Sequence, residues 1–142
     1  MKRLHVHVSV ADIDKAIQFY NALFASKATV VKDDYAKWLL DDPAVNFAVS
    51  NHSKQLGLSH LGLQVDSDDQ LEEISSRLSA AGIDGLAEED AQCCYANSNK
   101  YWTKDPAQIP WENFHTMGEI SHYYGPDEKI VKAESSGEHC CS

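Results

Sequence analysis

The chain has 142 residues and a formal charge of −10, from 12 basic and 22 acidic side chains. That length suits one compact domain, or two small modules sharing a core, without disulfide staples. So acidic a surface argues against nucleic acid or an anionic membrane as partner, and no apolar run approaches the roughly 18 residues of a membrane span.

Met1-Lys2-Arg3-Leu4-His5 has neither the long apolar stretch nor the cleavage site of a secretory leader, so a cytoplasmic location and mostly reduced cysteines are expected. His5-Val6-His7-Val8-Ser9-Val10 alternates and predicts a strand. Asp12 and Asp14 then suit the start of a helix whose apolar stripe is Ala16, Phe19, Tyr20, Leu23 and Phe24. Extended stretches follow at about 27–32, 35–41 and 45–50, with turns at Lys32-Asp33-Asp34 and Asp41-Asp42-Pro43.

The pattern then repeats at an offset of 55 residues, from His5 to His60, Phe19 to Ile74 and Leu23 to Leu78. His60-Leu61-Gly62-Leu63-Gln64-Val65 is the second strand opened by histidine. Ser67, Asp68 and Asp69 start a helix carrying Leu71, Ile74, Leu78 and Ala81, and Gly82 stops it. Extended stretches at about 84–88, 93–103 and 109–115 complete the half, with a turn at Asp105-Pro106. Such a sustained register sets the architecture. The expectation is an α+β fold of two βαβββ modules, about 1–52 and 57–118, in one domain spanning 1–122. A small, polar tail over 123–142 ends in His139-Cys140-Cys141-Ser142.

His5 and His60 open equivalent strands, so pseudo-symmetric packing would turn both imidazoles into one cleft. Glu112 lies in an otherwise aromatic and apolar stretch, Ile109-Pro110-Trp111-Glu112-Asn113-Phe114. Two imidazoles and one carboxylate make the facial triad of non-haem Fe(II) sites, although they also suit Zn, Ni or Co. Three unrelated polar residues are the plainer alternative. No Asp or Glu occurs between Asp42 and Asp66, so the last strand of the first half has no counterpart of Glu112. His7 shares a strand face with His5. Its counterpart is Gly62, which favours a supporting or space-filling role over ligation.

Cys93-Cys94 reads either as two small buried residues or as a thiolate pair for a soft metal or metalloid. A trivalent organoarsenical has one carbon bond and two exchangeable positions, which two neighbouring thiolates can fill. Chelation needs a turn or bulge, because adjacent strand residues face opposite ways. Asn97-Ser98-Asn99 suggests a loop there. Cys140-Cys141 beside His139 can capture thiophilic ions, or do nothing. His52 and His122 read as exposed loop histidines, and His115 as turned away from Glu112. Asp66-Ser67-Asp68-Asp69 reads as a helix cap and Glu88-Glu89-Asp90 as a solvated loop. Trp38, Tyr95, Trp102 and Trp111 suit either an aromatic pocket or the core.

The paired modules resemble the vicinal oxygen chelate superfamily, which holds glyoxalase I, extradiol dioxygenases and bleomycin-resistance proteins. Closer similarity lies in Leu4-His5-Val6-His7-Val8, Asp34-Tyr35-Ala36-Lys37-Trp38, His60-Leu61-Gly62-Leu63-Gln64-Val65, Cys93-Cys94-Tyr95-Ala96 and Trp111-Glu112-Asn113-Phe114-His115-Thr116. These resemble the branch of organoarsenical carbon–arsenic lyases and cadmium-induced proteins, over about residues 3–117. The resemblance implies an Fe(II)-dependent, dioxygen-consuming cleavage of trivalent methyl- or arylarsenicals to arsenite. It maps the metal ligands onto His5, His60 and Glu112 and the arsenic-binding pair onto Cys93 and Cys94. His7, Tyr95, Cys140 and Cys141 become auxiliary candidates. Sequestration of cadmium or arsenic without turnover is the alternative. A glyoxalase-like isomerase is weakened by the missing second carboxylate. Monomer and homodimer both suit the modules.

Overall fold

The structure is a computed structural model and describes residues 1–119, 121 and 123. His122, His139, Cys140 and Cys141 lie outside the described residues. The elements run β1 Arg3–Ser9, α1 Ile13–Phe24, β2 Val30–Lys32, β3 Tyr35–Asp41, β4 Ala44–Ser50, then β5 Gly57–Gln64, α2 Asp68–Ala80, β6 Leu86–Cys93, β7 Ala96–Lys104 and β8 Pro110–Glu119. Each half is therefore βαβββ. The eight strands form one mixed sheet in the order β2-β3-β4-β1-β5-β8-β7-β6, curled into a half-barrel. The two repeated strands meet antiparallel at its centre, where His7 pairs with His60 and His5 with Gly62. Each also runs parallel to the last strand of its own half, β1 to β4 and β5 to β8.

Strand alternation gives the sheet two unlike faces. One is apolar and covered by the helices. Ile13 and Ala16 of α1 pack with Ala36, Trp38 and Val49, and Leu71 and Ile74 of α2 pack with Val65. Fully burying a large apolar side chain contributes about 1.5–3 kcal/mol, and these clusters fasten the helices to the sheet. The other face carries polar residues in the same alternation, and His5, His7, Ser9, Asn46, Ser50 and His60 are all buried there. The helices begin as expected. Asp12 Oδ1 accepts from the Lys15 amide at 3.0 Å, and Ser67 Oγ from the Gln70 amide at 3.2 Å. Gly82, at φ +76°, follows the second helix in the left-handed region.

Gly62 has a packing reason. A Cβ there would lie 1.7 Å from the Glu112 carbonyl oxygen. Only glycine lets β8 come this close to β5, so the repeat replaces His7 by a bare backbone in the second half.

Two expectations for the second half need correction. The acidic Glu88-Glu89-Asp90 run lies within β6, not in a loop. Asp90 sits at a bulge with φ +53°, and Trp102 Nε1 donates to Glu88 Oε1 at 3.2 Å. The stretch 93–103 is not one strand either. The chain reverses at Cys94 and Tyr95, both left-handed at φ +57° and +62°, and Asn97-Ser98-Asn99 belongs to β7. Cys93 pairs with Ala96, so this is a two-residue hairpin of the primed type that matches strand twist. Such turns usually carry Asn or Gly, which is why the sequence concealed this one.

Candidate active site

His5 on β1, His60 on β5 and Glu112 on β8 converge on the polar face. The Nε2 atoms of His5 and His60 are 3.2 Å apart, and Glu112 Oε1 lies 3.6 Å from the first and 3.7 Å from the second. Metal bonds of about 2.0–2.2 Å set neighbouring ligand atoms roughly 3.0–3.5 Å apart; the two nitrogens meet that spacing and the glutamate oxygen lies just beyond it, so a small side-chain shift lets this donor set hold one divalent ion. The lone pair is available on the correct nitrogen of His5. Its Nδ1 donates to the Asn46 carbonyl oxygen at 3.1 Å and lies 3.2 Å from Asn46 Oδ1. The neutral ring therefore carries its proton outward and presents a bare Nε2. Burial and then the neighbouring His60 pull the His5 pKa down to about 4, which keeps the ring neutral at pH 7. Burial alone would raise the pKa of Glu112. The Lys100 ammonium, His60 and His5 outweigh it and hold the carboxyl well below its ordinary range.

His7 stacks on His60 at a ring distance of 4.9 Å, and its Nε2 pairs with Ser50 Oγ at 2.8 Å. Burial, His60 and His5 keep it neutral. One nitrogen from each of His5, His7 and His60 falls within a 4.8 Å group able to hold a metal ion. The glutamate oxygen completes a tighter set with His5 and His60 than His7 does. His7, engaged with Ser50, supports the rings from behind.

The hairpin turn places the two cysteine sulfurs 3.0 Å apart. Cys93 is a buried free thiol. Lys100 joins the sulfur to the carboxylate. Its Nζ donates to Cys93 Sγ at 3.1 Å and to Glu112 Oε2 at 2.9 Å. A single small cavity of about 30 Å³ touches His5, Glu112, Cys93, Cys94 and Lys100. The larger apolar groove, about 510 Å³ under α2, contains none of these side chains and is remote from this chemistry. Tyr95, at the hairpin tip, donates from its hydroxyl to Asp34 Oδ1 at 2.5 Å and so ties the second half to the first. Tyr35 and Tyr123 pack beside it.

Of the aromatic candidates, Trp102 faces the cleft, its ring 5.5 Å from that of His60. Trp38 is fully buried under α1, and Trp111 donates to Asp105 Oδ2 at 3.2 Å. His115 points away from Glu112 and bonds Asp68 Oδ1 at 3.0 Å. His52 is exposed, bonds Asp34 Oδ2 at 2.8 Å and stacks on Tyr123. Two residues beside the donor set, Asn46 and Lys100, were not among the sequence candidates. The alternation of β7 places Ser98, Lys100 and Trp102 on one face, and a lysine between them was the available signal.

The curled sheet of two βαβββ halves, with its histidines and glutamate at the central strands, defines a class. The chain belongs to the Glyoxalase/Bleomycin resistance protein/Dioxygenase superfamily, whose family model matches residues 2–113. Its fold is that of the Mn(II)-bound glyoxalase from Novosphingobium aromaticivorans, with a TM-score of 0.60 and 13% identity, over 96% of this chain and 53% of that one. Closer in sequence is the trivalent organoarsenical cleaving enzyme of Bacillus sp. (strain MD1), 38% identical over 147 residues, spanning 100% of this chain and 91% of that protein. The cadmium-induced protein CadI of Mycobacterium tuberculosis (strain ATCC 25618 / H37Rv) is 26% identical, over 99% of this chain and 93% of its own. Among the described residues no helix is long and apolar enough to cross a membrane.

Proposed function

We propose that this protein is an Fe(II)-dependent, dioxygen-consuming lyase that cleaves the carbon–arsenic bond of trivalent methyl- or arylarsenicals and releases arsenite. The observation that carries the reading is one cavity bordered by a vicinal cysteine pair and by His5 and Glu112, two members of a donor set that His60 completes. The name of the Bacillus sp. relative supports it. The same reading assigns the protein to the cytoplasm, where thiols stay reduced.

Binding starts at the sulfurs. As thiols, Cys93 and Cys94 each displace one hydroxyl of R–As(OH)₂. Two arsenic–sulfur bonds form, and two waters leave with the thiol protons. The carbon substituent stays on arsenic. His5, His60 and Glu112 would hold Fe(II), which supplies the activation of dioxygen within reach of that bond. The protein's part is proximity. The hairpin would hold the arsenic and the central strands would hold the ion, on walls of one cavity. Asn46 keeps the His5 lone pair inward, and burial keeps His5 and His7 neutral.

Sequestration of Cd(II) or As(III) without turnover is the second reading, favoured by the cadmium-induced relative. One experiment separates them. Reduced protein is loaded anaerobically with Fe(II), then given methylarsenite and air, while arsenic speciation and oxygen uptake are recorded together. Arsenite appearing with oxygen consumption, and only with iron, supports the lyase. Intact methylarsenite held on the protein with no oxygen used contradicts it and supports sequestration.

A further inference from the structure

Lys100 is only 5% exposed. A buried ammonium costs several kcal/mol unless anionic partners surround it. Its partners here are unusual because they belong to two different chemistries. On one side is Cys93 Sγ at 3.1 Å, from the arsenic-type pair. On the other is Glu112 Oε2 at 2.9 Å, from the metal-type set. The Trp102 ring lies 5.9 Å from the same nitrogen. The two oxygens of Glu112 are thereby divided. Oε2 is tied to Lys100, and Oε1 faces the two imidazoles.

We propose that Lys100 is a positioning residue that couples the thiolate and metal halves of the site. By occupying Oε2 it makes Glu112 offer an ion one oxygen instead of two. By holding Cys93 on the same ammonium it fixes where a thiolate-bound arsenical sits relative to that ion. An unrestrained carboxylate can clasp an ion with both oxygens. That mode would fill a coordination position that a small reactant needs. A lysine suits the task better than an arginine, whose rigid planar fork would engage both carboxylate oxygens together. The proposal rests on reading Glu112 as a metal ligand and Cys93 as an arsenical ligand.

The test uses reduced, full-length protein loaded with Co(II) in place of iron, together with Lys100→Met and Lys100→Arg. The first readout is the visible absorption of bound Co(II), which weakens as the number of ligand atoms rises. The second is the affinity of the metal-free reduced protein for methylarsenite. Lys100→Met lowers the Co(II) absorption and weakens methylarsenite binding about tenfold, the equivalent of losing one charge-assisted hydrogen bond. Lys100→Arg restores part of each. Wild-type values for either readout in Lys100→Met overturn the proposal. A further measurement needs no variant. The infrared difference spectrum of wild-type protein with and without metal reports the carboxylate stretches of the ligating glutamate. A wide splitting marks one-oxygen ligation and supports the proposal, whereas a narrow splitting marks two-oxygen ligation and overturns it. None of these readouts requires turnover, so they stand apart from the success or failure of the lyase assay.

Discussion

β4 and β8 close their respective halves, and both border the cleft beside His5. From β4 comes Asn46, which accepts from Nδ1 on the outer side of the ring. From β8 comes Glu112, whose Oε1 faces Nε2 on the inner side. The same contrast extends to the neighbouring strands. Lys37 on β3 lies opposite Ala48, while Lys100 on β7 lies opposite Phe114 and reaches Glu112 and Cys93. A duplicated plan has thus been divided between tasks. The first half supplies one imidazole and the groups that orient it. The second supplies an imidazole, the carboxylate, the cation and the sulfurs. Duplication gives two histidines symmetric access to one point, and divergence surrounds that point with unlike groups.

The largest effect on this arrangement should come from Gly62→Ala. The added carbon would lie 1.7 Å from the Glu112 carbonyl oxygen, so β8 must move and carry the carboxylate with it. A loss of about 4 kcal/mol or more is expected in denaturant unfolding, together with loss of metal binding. Gly82→Ala is the control. Its Cβ meets nothing within 4 Å, so only the left-handed φ is penalised and the loss is about 1 kcal/mol.

Acid should act next, through the histidines of the first half. The His5 pKa is about 4 in the native protein against 6.5 in the unfolded chain, and that of His7 is lowered too. Between those values the unfolded state binds more protons, so the metal-free protein loses stability as pH falls from 6.5 toward 4. The slope should be roughly 1.4 kcal/mol per pH unit for each histidine. Glu112, held below its ordinary range, adds a loss of the same sign at lower pH. A flat stability profile over pH 4–6.5 would contradict the neutral, buried assignment.

Asn46→Ala should have the smallest effect. The backbone carbonyl still accepts from His5 Nδ1, and only the side-chain oxygen is lost. A fall in metal affinity of about tenfold is expected by competition titration, at the low end for partners of ligating histidines. An unchanged affinity would show that the Asn46 side chain does not orient His5.

Much of this was legible in the sequence because it rests on periodicity. The offset that relates His5 to His60 announced the two halves, and strand parity placed His5 and His7 on one face and turned His115 away. The hairpin was not legible. Cys94 and Tyr95 adopt left-handed conformations that their residue types do not advertise, and the neighbouring asparagines drew the expected loop into β7. Lys100 was missed because lysine in a strand reads as exposed unless the inward parity of Ser98 and Trp102 is followed. Gly62 was seen as a gap in the repeat. The carbonyl it makes room for comes from a strand 50 residues away, and no local pattern contains that contact.

In the proposed reaction the sulfurs hold the arsenical while the histidine–carboxylate set serves its cleavage. The decisive measurement is methylarsenite binding and arsenite release, side by side in Glu112→Gln and Cys93→Ser. Glu112→Gln should bind methylarsenite with Fe(II) present but release no arsenite, and Cys93→Ser should lose both binding and release at low substrate. Arsenite release by Glu112→Gln at the wild-type rate, or full activity in Cys93→Ser, would contradict that reaction.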